Sequence, residues 1–350
     1  METVRPARGP PRRPNKDTRP DEGSMQRDHL RHLVCPETLR PLELRAARTE
    51  GEDVLKGELF AGDRSYPLTE GIPGFVPPET LDSQTVRSFA RKWDRHAYYR
   101  SHTESFYTQW YLDRYGFYDA DGLAAFLRDA RFILDAGTGM GRDALNLARH
   151  SGGLVFGVDT AWEALRTARR DLDHPRVALV HADLHHLPFP DGFFDVINCD
   201  QVIHHTPDPR QAFECLARKL RPGGTICCYV YRKKAVIREF VDDYVRERIR
   251  SLPPDEALKV CEAFTRLGES LAAMNVTVDV PEDIPLLGIR KGRMDLQRFF
   301  HWNLFKCFWN PDFDFHTNNI INFDWYHPEH CFRFDPEAFR AWFESGWEID

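Results

Sequence analysis

The chain has 350 residues, 42% of them hydrophobic and 29% charged, which suits one large soluble globular unit or two smaller ones. No apolar run reaches the roughly 18 residues of a membrane span, and no hydrophobic stretch follows the basic N-terminus as a secretory signal requires. A formal net charge of −7 argues against a broad nucleic-acid surface, which needs clustered Lys and Arg. The eight cysteines form no disulfide framework, so free, mostly buried thiols in a reducing cytoplasm are expected.

Residues 1–24 are rich in Pro and Arg, with six basic against four acidic side chains, and read as a solvated, disordered tail. Residues 29–78 alternate short apolar runs, such as Leu42-Glu43-Leu44 and Val54-Leu55, with Gly and Pro turns, and predict a compact β-rich module. Cys35-Pro36-Glu37-Thr38 and the stretch from Ser65 to Pro73 resemble the small zinc-ribbon proteins that activate tRNA methyltransferases. A structural zinc needs four ligands, and this module offers Cys35 alone among cysteines. We therefore expect a ribbon without its metal, with His29 and His32 on a helix or turn surface. Residues 80–128 read as a helical aromatic cap containing Phe89, Trp93, Tyr98, Tyr99, Phe106, Tyr107, Trp110, Tyr111, Tyr115, Phe117 and Tyr118. Most of these rings should bury against one another, and one or two can face a cation.

Residues 129–232 alternate strand and helix patterns, which predicts an α/β fold with a doubly wound, mostly parallel sheet. Phe132-Ile133-Leu134 runs into Asp135-Ala136-Gly137-Thr138-Gly139-Met140-Gly141 and then a helix. Glycines here let backbone approach a ligand at a helix N-terminus. The dinucleotide pattern G-x-G-x-x-G would need glycine at 142, where this chain has Arg142. The next strand ends in Asp159-Thr160, 24 residues after Asp135, placed to take two ribose hydroxyls. A third strand, Val177 to Val180, precedes Asp183-Leu184; a fourth precedes Asp200-Gln201; Arg221-Pro222-Gly223-Gly224 opens a fifth.

In order and spacing these motifs resemble the class I, Rossmann-like S-adenosylmethionine-dependent methyltransferases, including quinone-biosynthesis C-methyltransferases, over about residues 131–231. The resemblance implies S-adenosylmethionine as cofactor. It implies that Asp135 and the loop of Gly137, Thr138, Gly139 and Gly141 hold its methionine end. It also implies that Asp159 holds the ribose, Asp183 and Leu184 the adenine, and that Asp200 and Gln201 border the sulfonium.

Catalytic candidates lie beyond the C-terminal ends of the strands. They are His204 and His205 after the fourth strand, and Tyr229 and Tyr231 at the end of the fifth. Residues 233–350 read as a mainly helical insert and substrate-binding cap. Within it, the polar and aromatic stretch from Asp312 to Pro328 shows no amphipathic period and reads as a loop that either satisfies its own backbone or binds a ligand, with Asn318 to His327 as the segment expected to close over the reacting end of the cofactor. It offers Asn322, Asp324, Tyr326 and His327, and Asn322→Ala or Tyr326→Phe should cut turnover while stability holds. Trp342-Phe343 and Gly346 match a helix end seen in related methyltransferases, and Trp347-Glu348-Ile349-Asp350 reads as the start of a sixth strand. Cys199, Cys227 and Cys228 read as small core residues rather than an arsenite site.

Three functions fit these residues. One is methyl transfer to a small-molecule metabolite, with neither nucleic acid nor membrane as partner. The second is an enzyme of the same fold that consumes the cofactor, for example by cyclising it to azetidine-2-carboxylate and methylthioadenosine. The third is a regulatory partner that binds the cofactor without chemistry.

Overall fold

The computed structural model describes residues 26–95, 99–172, 174–343 and 347–348. The expected disordered tail, residues 1–24, lies outside them, as do Tyr98, Gly346, Ile349 and Asp350 and the side chains of Trp93 and Tyr99. A four-stranded antiparallel sheet comes first: β1 (Glu43–Glu50), β2 (Asp53–Ala61), β3 (Arg64–Thr69) and β4 (Ile72–Pro73), in that order across the sheet. Helices α1 (Gln84–Arg95), α2 (Tyr99–Arg114) and α3 (Ala120–Phe126) follow, where the aromatic cap was predicted.

The centre is a five-stranded parallel sheet of β5 (Phe132–Ala136), β6 (Leu154–Asp159), β7 (Val177–His181), β8 (Phe194–Asp200) and β9 (Leu220–Tyr229), ordered β7-β6-β5-β8-β9. Helices α4 (Arg142–Arg149), α5 (Trp162–Asp171) and α6 (Pro209–Lys219) connect its strands. The order reverses beside β5, and open α/β sheets leave a ligand crevice at such a point.

Strand periodicity divides the core between the two faces of this sheet. Ile133, Val155, Val177 and Val196 pack with Leu145, Ala148 and Leu165 of α4 and α5. Leu134, Phe156, Ala178 and Ile197 pack on the other face with Phe213 and Leu216 of α6 and with Leu59, Leu68 and Phe75 from the N-terminal sheet. The N-terminal sheet is thus fastened to the core. Gly74 bridges His181 in parallel, and Phe75 N donates to His181 O at 2.7 Å, lengthening the β7 edge.

The surface placement expected for His29 and His32 is corrected. His29 is buried, and the His32 ring sits 4.9 Å from Phe132 and 5.5 Å from Phe193, where it fills the seam between module and core. Cys35 Sγ lies 3.1 Å from Glu37 Oε2 and 3.2 Å from the Tyr66 hydroxyl, and that hydroxyl donates to Glu37 Oε2 at 2.5 Å. Among the described residues no group of three or more His, Cys, Asp or Glu side chains is arranged to hold a metal ion. Among them, no helix is long and apolar enough to cross a membrane.

The C-terminal layer contains α7 (Val236–Ile249), α8 (Pro254–Ala273), a hairpin of β10 (Thr277–Val280) and β11 (Gly292–Asp295), α9 (Leu296–Asn303), α10 (Phe315–Tyr326) and α11 (Pro336–Arg340). The loop expected around residues 312–328 is α10, and the physical reason is burial on several sides. Asp314 caps its start by accepting from Thr317 N at 2.6 Å. Its amides face neighbouring backbone rather than water: Asn318 Nδ2 donates to Asn310 O, Asn319 Nδ2 to Leu258 O and Asn322 Nδ2 to Phe308 O. A helix enclosed in this way needs no apolar stripe.

Asp242 ties the layer together. It accepts from Arg238 Nε (3.0 Å), Trp325 Nε1 (2.7 Å), the Tyr326 hydroxyl (3.1 Å) and Lys306 N (3.0 Å), and it is fully buried. The predicted sixth strand is not at residues 347–348, which are outside any strand, while Trp347 packs on Phe213 and Phe343. The chain beyond β9 is accompanied instead by residues 332–334: Arg232 bridges Phe334, and Phe334 N donates to Tyr231 O at 2.8 Å.

Candidate functional site

A cavity of about 1030 Å³ opens over the C-terminal ends of β5, β6, β8 and β9 and extends beneath the C-terminal layer. One end is built by the turn after β5. Gly137, Gly139 and Gly141 all have positive φ, at 81°, 53° and 77°. A Cβ on Gly137 would stand 2.3 Å from Val202 Cγ2, so no other residue lets the loop lie this close to the segment after β8. Gly139 N donates to Asp159 Oδ2, and Ala161 N donates to Asp159 Oδ1, both at 2.8 Å. The Asp159 carboxylate thereby ties the glycine loop to the end of β6 and still borders the cavity. Burial raises its pKa above the ordinary value, against those backbone donors.

Next to it, Asp183 closes the same end. Thr80 Oγ1 donates to Asp183 Oδ2 at 3.0 Å, and His185 N and Nδ1 engage Oδ1 at 2.9 and 2.8 Å. Burial pushes this carboxyl upward, but the hydrogen bonds from His185 and Thr80 outweigh it and hold the group below its usual value.

The middle of the cavity is charged and aromatic. Arg114 Nη1 donates to Asp200 Oδ1 at 2.7 Å, with the Tyr115 hydroxyl on the same oxygen at 3.0 Å. The Arg114 guanidinium lies 3.9 Å from the centre of the Trp110 ring and 4.3 Å from that of Tyr229. Its Nε and Nη2 are buried and have no hydrogen-bond partner. Gln201 holds φ at 63°, a costly conformation for a non-glycine residue, and its Nε2 donates to Asp200 Oδ2 at 3.1 Å. Arg142 forks onto Asp143 (Nε to Oδ1 2.8 Å, Nη2 to Oδ2 2.9 Å) beneath the Tyr107 ring.

The far end is walled by the C-terminal layer. His205 presents its ring between Phe89 and Tyr231, and its Nδ1 donates to His330 O at 2.7 Å. That bond fixes the tautomer with the lone pair on Nε2. Burial lowers the His205 pKa to about 3, so the ring is neutral at physiological pH. Lys92 pairs with Asp324 at 2.5 Å, and Arg298, His301, Trp302, Lys306 and Asn310 complete the wall.

Of the residues chosen from sequence, Gly137, Thr138, Gly139, Asp159, Thr160, Asp183, Leu184, Asp200, Gln201, His205, Tyr229, Tyr231 and Asp324 line this one cavity. Six others do not. Asp135 is buried behind the loop, where Thr138 Oγ1 donates to it at 2.5 Å and Asn198 Nδ2 at 2.8 Å. Burial lifts its pKa to about 7, and its place is to brace the loop from behind. Gly141 turns the chain into α4, where a Cβ would meet Leu172 Cδ1 at 2.2 Å. His204 is fully buried against Tyr231, ring centres 3.8 Å apart, with both nitrogens unpartnered.

Asn322, Tyr326 and His327 are corrected from a closing loop to packing positions. Asn322 bonds Thr265 and Phe308, Tyr326 bonds Asp242 and Lys306 O, and His327 is held by Ser88 and Leu252 O. Their polar groups satisfy the interior of the C-terminal layer, and none of the three lines the cavity. Sequence reasoning missed Arg114, Arg142, Lys92 and Lys306. Arg142 was noticed only as a departure from a dinucleotide loop. Arg114 had a legible signal, a lone cation within Trp110-Tyr111-Leu112-Asp113-Arg114-Tyr115.

A family model described as Methyltransferase domain matches residues 134–228. Methyltransferase GfsG of Streptomyces halstedii is 36% identical over 115 residues, covering 32% of this chain and 40% of that protein. The 27-O-demethylrifamycin SV methyltransferase of Amycolatopsis mediterranei is 34% identical over 105 residues, 29% of this chain and 38% of its own. Demethylmenaquinone methyltransferase of Clavibacter sepedonicus is 34% identical over 144 residues, 40% of this chain and 58% of its own. The matched stretch thus spans less than two thirds of each of these relatives.

The residues present fit the cofactor of such domains: a glycine cradle that a side chain at 137 would fill, and acids at the ends of β6 and β7 that border the cavity. Over residues 134–228, therefore, the chain carries a methyltransferase domain of the class that uses S-adenosylmethionine.

Proposed function

We propose that the chain is a class I S-adenosylmethionine-dependent methyltransferase acting on a discrete small molecule. The observation that carries this reading is one continuous cavity that runs from the glycine loop to the C-terminal layer. Its volume, about 1030 Å³, is at the upper limit of the roughly 300–1000 Å³ of ordinary small-molecule sites, which leaves room for an acceptor beside a cofactor. Two of the relatives carry rifamycin and menaquinone precursors in their names, and a small-molecule acceptor is consistent with both.

When bound, S-adenosylmethionine supplies an electrophilic methyl group on sulfur. Asp159 would hold the ribose, Asp183 and Leu184 the adenine, and Gly137 to Gly139 the amino-acid end, with Arg114 bracing Asp200 behind the cavity wall. Trp110, Tyr229 and the polarised Asp200–Arg114 pair would exclude water and orient the acceptor in line with the transferred group. His205 Nε2, neutral and turned away from His330, would accept a hydrogen bond from the acceptor rather than take up a proton for long.

The test is calorimetry with S-adenosylhomocysteine and NAD, followed by turnover with cofactor alone and with candidate acceptors. Binding of S-adenosylhomocysteine and not NAD, with no turnover until an acceptor is added, is the expected result. NAD binding without an adenosyl response would overturn the cofactor reading. Methylthioadenosine formed with no acceptor present would replace methyl transfer by cyclisation of the cofactor.

A further inference from the structure

We propose that the far end of the cavity is an anion subsite, in which Lys306 and Arg298 bind a carboxylate or phosphate group carried by the acceptor. The proposal rests on the reading that the cavity holds an acceptor next to the cofactor, and it names that acceptor's chemical class.

Lys306 is the central observation. Its residue is only 9% exposed, yet its side chain borders the cavity. The ammonium lies 4.9 Å from the centre of the Trp325 ring and 5.9 Å from that of Phe308, and it forms no hydrogen bond or ion pair among the described residues. Arg298 reaches the same wall, and its guanidinium is likewise without a hydrogen bond or ion pair among them. Buried cations in proteins are normally paired, because an unpaired one loses its hydration for nothing.

The nearby acids are already committed. Asp242 is shared by Arg238, Trp325, Tyr326 and the Lys306 backbone, and Asp324 faces Lys92. The surplus of positive charge also registers on His301, a cavity residue fully enclosed at this end. After burial, the charges that depress its pKa are those of Arg238, Lys306, Arg298 and Lys234. Burial likewise lowers Lys306 to about 7, ahead of repulsion from Arg238, with Asp324 and Asp242 acting the other way. An anion arriving here relieves both penalties. Arg298 supplies a planar fork and Lys306 a point charge, the combination that carboxylates and phosphates accept.

The chain saturated with S-adenosylhomocysteine would be titrated at constant ionic strength with inorganic phosphate and, separately, with acetate. Trp302 and Trp325 flank the subsite, so their fluorescence reports occupancy. A saturable response is expected, and the tighter of the two anions identifies the group. Lys306→Met should weaken that anion at least about 10-fold, a loss of about 1.4 kcal/mol, with S-adenosylhomocysteine affinity unchanged. Lys306→Arg should retain it. Should Lys306→Met fail to fold, Arg298→Gln at the cavity rim gives the same comparison.

No saturable response in the wild type, or equal affinity in Lys306→Met, overturns the subsite. Loss of the anion in Lys306→Arg as complete as in Lys306→Met would also overturn it, because the retained positive charge should suffice to hold the anion. A wild-type chain that ignores S-adenosylhomocysteine yet binds phosphate through Lys306 would sink the cofactor reading and leave the subsite standing.

Discussion

Gly137→Ala tests the cofactor loop most directly. The native φ of 81° places position 137 in the left-handed region, which costs an alanine about 1–2 kcal/mol. The added methyl also meets Val202 at 2.3 Å (Cγ2), 2.5 Å (Cγ1) and 2.9 Å (Cβ), all inside van der Waals contact. Val202 is β-branched and has few rotamers to escape into. Relief must come from moving backbone, at a further cost of about 1–3 kcal/mol for overpacking. The total is about 2–5 kcal/mol, divided between global stability and displacement of the loop into the cavity.

Urea denaturation would read the first part and calorimetric titration of S-adenosylhomocysteine the second. The double mutant Gly137→Ala/Val202→Ala separates the causes: it should recover the steric part and leave the left-handed cost. Strict additivity in that cycle, or a Gly137→Ala protein within about 0.5 kcal/mol of wild type by both assays, would refute the close approach of the loop to Val202.

Asp242→Ala should destabilise the protein by about 3–5 kcal/mol, because it leaves Arg238 buried without a counter-charge; a loss under about 1 kcal/mol in denaturant would remove Asp242 as the hub of the C-terminal layer. Asn322→Ala should lower stability by about 1–3 kcal/mol with activity falling in proportion, since its amide serves Phe308 and Thr265; lost turnover at unchanged melting temperature would restore a substrate contact. Asp135 has a folded pKa, about 7, above its unfolded value, so the folded state binds the extra proton. Stability should therefore decline as pH rises from about 4 to 7, by up to about 1.4 kcal/mol per unit. Asp135→Asn should show a shallower decline over that window, and an identical slope in the two proteins would contradict the burial of the carboxyl.

The local sequence carried what depends on neighbours along the chain. The alternation of Ile133, Leu134, Val155 and Phe156 already dictates strands apolar on both faces, and such strands belong in a covered parallel sheet. The glycines at 137, 139 and 141 declare positive φ because other residues resist it, and Asp159 follows its strand at the spacing the fold requires. The cofactor end of the cavity was legible for that reason.

Long-range packing decided the rest. Asp135 carries the same motif signature as a ligand-binding acid, but Thr138 and Asn198, the latter 63 residues away in sequence, draw it behind the loop. The polar face of Asn318, Asn319 and Asn322 looks like a recognition loop when read alone. It becomes a helix interior once Leu258, Thr265 and residues 308–310 supply partners for each amide. Lys306 and Arg298 gave no local signal at all. A cation's meaning depends on which acids reach it, and only the folded chain brings Asp242 to Arg238 and Asp324 to Lys92, leaving these two facing the cavity.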